Sequence, residues 1–334
     1  MNNRNFWRSK NVLLTGGTGF VGGNLIKKLL EYNCNIFCII RNDNPQSFLS
    51  IENLNKEIRT IKGDIIDKDL IYKTITEQHI DIIFHLAAQV EVGVGLTNPY
   101  LTFETNIRGT YNLLEACRLA KNSGQEILSI IVASSDKAYG ESENLPYTED
   151  QALHGDGPYD VSKSCTDLLA QSYGNTYNLP ITIARCGNIY GGGDLNWSRI
   201  VPGTIRDLVA GRQPVLRSDG TFVRDYVHVD DVVSGYLKLA EVSQNENING
   251  EAYNFSRDEP LSVMDLYRHI CQATLGKYID PKVLNTAKSE IKDQHLNSAK
   301  AKKSLGWSSQ VSLESGLVRT VEWYKEYLAG VKVG

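Results

Sequence analysis

The chain has 334 residues, 41% of them hydrophobic, with a formal net charge of −4; it is long enough to bury a full core in one large domain or two closely joined ones. The slight acidity offers no electrostatic footing on nucleic acid or an anionic membrane surface, and no apolar run approaches the roughly 18 residues that cross a bilayer. The first residues, MNNRNFWRSKN, lack the apolar segment of a signal peptide. The six cysteines (34, 38, 117, 165, 186, 271) form no CxxC pair, so reduced thiols, no metal site and a cytoplasmic enzyme are expected.

Asn11–Thr15 is a short apolar strand that runs into GGTGFVGGNLIKKLLEY, where a glycine turn becomes an amphipathic helix. The glycines fit both Gly16-x-x-Gly19-x-x-Gly22 and Gly17-x-Gly19-x-x-Gly22. Strand, glycine turn and helix are the context a dinucleotide site requires. Without Cβ atoms the backbone can approach a pyrophosphate, and the helix start offers free N–H groups. Gly16, Thr18, Gly19, Phe20, Val21 and Gly22 are therefore expected to hold the cofactor. The second strand, Asn35–Ile40, is followed by Arg41 at the position that reads the adenosine ribose. An arginine there suits the 2′-phosphate of NADP, while nearby Asp43 keeps NAD open. A third strand over 57–62 ends at Asp64-Ile65, whose carboxylate suits the adenine amino group, and Asp67 caps a helix reaching Gln78. A fourth strand, 81–85, ends in Leu86-Ala87-Ala88-Gln89, small enough for a cofactor to pass. The segment 99–120 is a long helix with Asn106 and Gly109 in its middle. This alternation predicts an α/β fold with a Rossmann-type, doubly wound parallel sheet.

The apolar run 127–133 is a buried strand that delivers Ser134, Ser135, Asp136 and Lys137 at its C-terminal end, where open α/β sheets bind ligands. Beyond a polar loop, Tyr159 and Lys163 stand four apart and share a helix face. At about 5 Å and an effective dielectric near 20, the pair is worth roughly 3 kcal/mol, enough to draw the phenol from about 10 toward physiological pH. Such a tyrosine takes a proton from a sugar or alcohol hydroxyl. A sixth strand over 179–186 leads to Gly187-Asn188-Ile189-Tyr190 and three glycines, where the chain leaves the sheet. The remainder reads as a helix over 202–210, short strands near 214–217 and 222–227, a helix over 229–241, a polar loop at 242–250, a strand at 253–256 and helices over 261–273, 298–305 and 313–328. Two units are expected: residues 1–187 with a returning helix and strand from 228–256, and a smaller C-terminal α+β substrate lobe over 188–334.

Taken together, TGGTGFVGGN, LAAQ, SSDKAYG, YDVSK, RCGNIYGGGD and RDYVHVDD resemble the extended short-chain dehydrogenase/reductase family, in its nucleotide-sugar epimerase and dehydratase branch. The resemblance implies that Tyr159 takes the sugar C4 hydroxyl proton, that Lys163 holds the ribose and lowers the tyrosine pKa, and that Ser135 hydrogen-bonds the same oxygen. Asp136-Lys137 resembles the acid/base pair of sugar 4,6-dehydratases: Lys137 removes the C5 proton and Asp136 protonates the departing C6 hydroxyl. The substrate implied is a nucleotide-diphospho-sugar. Asn188 and Arg224 would meet its diphosphate, with Arg199 a further phosphate ligand. Gln89 belongs to the same substrate side, Val215 to the variable stretch around the base, and Asp293 and Gln294 to the nucleoside. The family also implies a homodimer, or a dimer of dimers, through a four-helix bundle drawing on Leu113, Leu114, Leu168 and Leu169. A 4-epimerase of the same family, or a non-catalytic NAD(P)-binding member, are the alternatives.

Overall fold

The structure, a computed structural model, describes residues 4–243, 248–286 and 291–330. Seven strands form one sheet: β1 (Asn11–Thr15), β2 (Asn35–Ile40), β3 (Arg59–Lys62), β4 (Ile82–His85), β5 (Ser129–Ala133), β6 (Ile181–Cys186) and β7 (Glu251–Phe255). Their spatial order is β7-β6-β5-β4-β1-β2-β3, and every pair is parallel. The order reverses between β1 and β4, which opens a crevice at the carboxyl ends of those strands. Both faces of the sheet are covered, so its strands, apart from the exposed edge strand β3 (RTIK), read as near-continuous apolar runs. In β1, Val12 and Leu14 join one core layer and Leu13 the other. β7 falls in the stretch expected to return to the sheet, two residues earlier than the sequence pattern put it.

The long helices are α1 (Phe20–Leu30), α2 (Lys68–Glu77), α3 (Gly109–Asn122), α4 (Pro158–Tyr177), α5 (Ile200–Val209), α6 (Val229–Val242), α7 (Val263–Leu275) and α8 (Leu313–Leu328). Asp67 caps α2 by accepting from Leu70 N–H, as its position suggests. The long helix expected over 99–120 is not uniform. Pro99–Phe103 is α-helical, Glu104–Arg108 is a π-turn, and α3 follows. Leu113 and Leu114 on α3 are fully buried, whereas Leu168 on α4 is 52% exposed. The two α3 leucines are therefore core rather than a surface for association, because they face α2 and the sheet.

Past β6 the short strands pair locally, Asn188–Tyr190 with Tyr226–His228 and Val215–Leu216 with Lys282–Val283. Val223–Arg224 lies between Leu261–Ser262 and Asp293–Gln294. Part of the expected polar loop, 244–247, lies outside the described residues. The segment after β2 is fastened to the C-terminal helix. Glu52 accepts from Trp323 Nε1 (2.9 Å) and pairs with Lys27 (2.8 Å), while Phe48 packs on the Trp323 ring and fills the space beside Gly193. All six cysteines are free thiols, and Cys38, Cys117, Cys186 and Cys271 are buried. Among the described residues no helix is long and apolar enough to cross a membrane, and no group of three or more His, Cys, Asp or Glu stands together as a metal set.

Candidate active site

A cleft of about 1200 Å³ runs along the carboxyl edge of the sheet and under the C-terminal segments. At its β1 end lies the glycine turn. Gly16 has φ +79°, and a Cβ there would sit 2.7 Å from Ala87 N, so only glycine lets the turn press against the end of β4. A Cβ on Gly22 would meet Gly16 O at 2.3 Å, which is why α1 can start tight against the turn. Gly19 differs: its missing Cβ faces the cleft, with Gly16 O (3.2 Å) its only neighbour. Gly19 caps α1 without a side-chain acceptor, leaving the first-turn N–H groups of Phe20 and Val21 for a ligand. Thr18 and Gly22 line the same wall. A cradle that a Cβ would fill, facing a bare helix start, fits a dinucleotide pyrophosphate.

Arg41 reaches the cleft at the end of β2, 59% exposed and 3.7 Å from Asp64. Asp43 is engaged by Lys62 instead. Asp64, Ile65, Leu86, Ala87 and Ala88 complete this side. Sequence reasoning missed Asn44, Gln46, Ser47 and Phe48, which also line it; their segment carries no glycine or strand signal.

At the end of β5, Ser134 Oγ is buried with no partner. Ser135 Oγ donates to Asp136 Oδ1 (2.9 Å) and accepts from Lys137 N–H (3.2 Å). Asp136 is 4% exposed, and its Oδ2 has no hydrogen-bond partner. Burial raises its carboxyl above the ordinary range, opposed by Lys137, Ser135 and Arg224. Lys137 is only half-buried and lines the cleft. Tyr159 and Lys163 face this row from the first turns of α4. Lys163 Nζ donates to Ala133 O (2.8 Å), and burial pulls its pKa down to about 8 against the opposing charge of Asp167.

The phenol departs from the sequence argument. Burial pushes Tyr159 up to about 12, with Arg199 and the nearby Ser135 acting the other way. The pairwise estimate for Tyr159 and Lys163 left out desolvation, which disfavours the phenolate.

Behind these residues runs a buried network that was not foreseen. Ala87 N–H donates to Thr15 Oγ1 (3.2 Å), Thr15 Oγ1 bonds His85 Nδ1 (2.8 Å), and His85 Nε2 bonds Thr110 Oγ1 (3.0 Å). Thr110 and Thr166 both donate to Asn106 O, at 2.6 and 3.0 Å. Asn106 sits in the π-turn, where its amide joins Gln89 O (2.9 Å) to Ser162 Oγ (2.8 Å) and receives Gln89 N–H (2.7 Å). The extra π-turn residue frees a helix carbonyl to serve two threonines. A mid-helix Asn beside a glycine was the one signal in the sequence. His85 is held neutral: burial, then the charge of Lys163, lowers its pKa to about 3.

Gln89, next to that network, and Asn188, Arg199, Val215 and Arg224, from the segments past β6, all line the cleft. Gln89 Oε1 accepts from Thr102, and Asn188 is exposed to the opening. Arg199 pairs with Asp194 at 3.0 Å. Arg224 is buried, its guanidinium donating to the carbonyls of Val223, Ile291 and Lys292. Asp293 is the exception. It is exposed and outside the cleft, because the pairing of its strand with Val223–Arg224 turns the neighbouring Gln294 inward instead.

The family model described as GDP-mannose 4,6 dehydratase matches residues 13–320. The chain belongs to this family. CDP-glucose 4,6-dehydratase of Salmonella typhimurium is 30% identical, the match covering 99% of this chain and 94% of that enzyme. A trifunctional UDP-glucose 4,6-dehydratase/3,5-epimerase/reductase of Arabidopsis thaliana is also 30% identical over 96% of this chain, which spans only 48% of it, about half that relative's length. Among solved structures, UDP-glucose 4-epimerase of Thermotoga maritima with UDP-glucose superposes with a TM-score of 0.85 at 29% identity, covering 95% of this chain and 99% of that one. A dTDP-glucose 4,6-dehydratase of Streptomyces venezuelae with NAD bound gives 0.83 at 27% identity, with 95% and 98% covered. This family fold is the extended short-chain dehydrogenase/reductase architecture anticipated from the motifs.

Proposed function

We propose that this protein is a nucleotide-sugar 4,6-dehydratase, converting a nucleotide-diphospho-hexose to its 4-keto-6-deoxy derivative. The observation that carries the reading is the row Ser135, Asp136, Lys137 facing Tyr159 and Lys163 across one cleft, with a buried carboxyl whose second oxygen is unpartnered. A dinucleotide whose pyrophosphate the glycine turn would hold and whose nicotinamide ribose Lys163 would hold would supply the hydride acceptor for C4 and the hydride donor for C6. Tyr159 receives the C4 hydroxyl proton as its phenolate, the form that Arg199 and Ser135 favour against burial. With C4 a ketone, the C5 proton is acidified and Lys137 removes it. Asp136, raised by burial, gives a proton to the C6 hydroxyl, which leaves as water.

The cofactor is NAD or NADP, with Arg41 at the ribose end favouring NADP and Asp64 beside it tempering that charge. Residues 1–187 and 228–256 serve the cofactor and 188–334 the substrate; Asn188, Arg199 and Arg224 meet the diphosphate, and Val215 lies toward the base. Association as a homodimer would use exposed Tyr100 and Leu168 rather than Leu113 and Leu114. The likeness to solved 4-epimerases supports a second reading, in which the product keeps its C6 hydroxyl. Incubation with CDP-glucose, UDP-glucose, dTDP-glucose and GDP-mannose, followed by mass spectrometry, tests both. Loss of one water from a substrate is expected; an isomer of unchanged mass assigns the epimerase, and no product assigns a binding protein. Replacing Arg41 with Asp should weaken NADP more than NAD; equal affinities before and after remove Arg41 from the ribose site.

A further inference from the structure

Asp136 and Lys137 stand on a single 3₁₀ turn, Asp136–Tyr139, whose own backbone bonds are long: Ala138 N–H to Ser135 O at 3.2 Å and Gly140 N–H to Lys137 O at 3.3 Å. Lys137 Nζ makes no hydrogen bond or ion pair among the described residues, so where its amine stands follows from where the turn is held. That hold lies behind the cleft, in side chains that do not line it. Tyr139 is buried; its hydroxyl donates to Asn254 Oδ1 (2.8 Å) and accepts from Arg185 Nη1 (2.7 Å). Arg185 grips both oxygens of Asp167, each at 2.8 Å, in an ion pair removed from water. Asp167 lies on α4, four residues after Lys163 and eight after Tyr159, so the three share one stripe of that helix. One residue before Tyr139, Ala138 O accepts from Ser164 Oγ (2.8 Å), also on α4. On its other side the Tyr139 ring stacks on Tyr147, with 4.7 Å between centroids and 5° between planes. Tyr147 N–H donates to His295 O, and Tyr147 O accepts from Asn297 N–H, both at 2.9 Å.

We propose that Tyr139 is a positioning residue for the elimination step: its hydroxyl, clamped by Arg185 and Asn254, fixes the turn so that Lys137 meets the sugar whose C4 faces Tyr159. This rests on the dehydratase reading. Helix α4 carries Tyr159 and Lys163 and, through Asp167 and Arg185, also the clamp on the turn, so both halves of the chemistry are referred to one rigid element. The two-pronged contact with Asp167 fixes the plane of the guanidinium and aims Nη1 at Tyr139. Because the carboxylate and the guanidinium are both out of water, neither can leave the other cheaply. Oxidation does not depend on this clamp. Tyr159 and Lys163 sit on α4 itself, and Ser134 at the end of β5 is tied by its N–H to Ala184 O (2.9 Å). Removing the Tyr139 hydroxyl keeps the ring but strips Asn254 Oδ1 of that donor and Arg185 Nη1 of that acceptor. The downstream half of the turn is then free to shift, and a reacting group misplaced by about 1 Å can cost about 100-fold in rate.

The test uses the cofactor-loaded protein and whichever of the four nucleotide sugars the native chain dehydrates, at a temperature where each variant is fully folded. Single-turnover absorbance follows reduced nicotinamide, and mass spectrometry follows the loss of water. In Tyr139→Phe elimination should slow about 10- to 100-fold while oxidation and the KM for the sugar stay native, so reduced nicotinamide accumulates. Tyr267→Phe is the matched loss of a buried hydroxyl: Tyr267 on α7 donates to Ile279 O (2.7 Å) and does not line the cleft. It should leave both steps native. Should Tyr139→Phe not fold, Ser164→Ala, which drops the other hold on the turn, is read in the same way. A merely structural tyrosine would lower stability yet leave both steps native in the folded variant. That result, equal slowing of the two steps, or the same accumulation in Tyr267→Phe would overturn the positioning role while leaving the dehydratase standing. A native chain that releases no 4-keto-6-deoxy sugar would overturn both.

Discussion

Gly19 and Gly22 stand three residues apart in the glycine turn, yet the structure assigns them different work, and alanine at each position separates fold from cofactor. Gly19 has φ −78° and ψ 172°, a conformation any residue adopts, and an added Cβ has only Gly16 O nearby, at 3.2 Å. Alanine there gains about 0.4–1 kcal/mol from a stiffer unfolded chain and loses about as much as a poorer helix cap. Stability of the cofactor-free protein should therefore change by less than about 1 kcal/mol. The methyl group, however, occupies the cradle. A phosphate held off the backbone forfeits at least one charge-assisted hydrogen bond of about 1.5–3 kcal/mol, so NAD(P) affinity should fall about 10- to 100-fold. At Gly22 the Cβ would lie 2.3 Å from Gly16 O, and restoring an ordinary contact of 3.4 Å requires a shift of roughly 1 Å in the turn. That overpacking costs about 1–3 kcal/mol and displaces the same backbone groups, so both stability and affinity should drop. Urea denaturation of the apoprotein and calorimetric titration with NAD and NADP measure the two quantities. Native affinity in Gly19→Ala would refute the cradle, and unchanged stability in Gly22→Ala would refute the packing argument.

Lys137→Ala should separate oxidation from elimination, so that reduced nicotinamide accumulates on the protein with no deoxy product; steady dehydration by this variant would remove Lys137 as the C5 base. His85 has a folded pKa of about 3 against 6.5. The unfolded chain therefore binds a proton that the folded one refuses, and stability should fall as pH drops from about 6.5 toward 3. Near pH 4.5 this group accounts for about 3 kcal/mol of loss relative to pH 7. His85→Gln should flatten that part of the stability profile, and an unaltered acid limb would show that His85 is not its source. Leu113→Ala should cost about 2–5 kcal/mol in unfolding experiments without altering assembly, whereas Tyr100→Lys with Leu168→Lys should shift the light-scattering mass toward a monomer. The reverse pattern would return Leu113 to the interface.

Most of the sheet was legible because its strands are apolar runs closed by a glycine, a charge or a small-residue pair; the edge strand β3 (RTIK) is largely exposed and carries a single apolar residue. The motifs mark the carboxyl ends where the cleft had to form. The β/α alternation announced a parallel, doubly wound sheet, and the strand order came from the structure. What the sequence could not settle depends on contacts distant along the chain. Leu113 and Leu168 both look like apolar positions on long helices, and only packing against α2 distinguishes them. Asp293 and Gln294 differ by one residue in a two-residue strand, so their orientation is set by the partner strand rather than by periodicity. The Tyr159 pKa was misjudged because spacing reports a charge pair but not how much water the fold removes. The network from Thr15 through His85 to Asn106 joins residues up to 91 positions apart along the chain, and no local pattern announces it.

The attachment of Glu52 and Phe48 to Trp323 bears on how such a protein can be re-engineered. Transplanting the substrate-facing half from a relative, in order to change which nucleotide is accepted, would import a foreign C-terminal helix. Unless residues 44–56 travel with it, the graft leaves Glu52 and Phe48 without the indole they grip. Because Asn44, Gln46, Ser47 and Phe48 also border the cofactor end of the cleft, a chimera cut at the apparent boundary near residue 187 would lose dinucleotide affinity first, although every glycine of the turn remained in place. The practical unit of exchange is discontinuous, and its seam runs through the loop after β2.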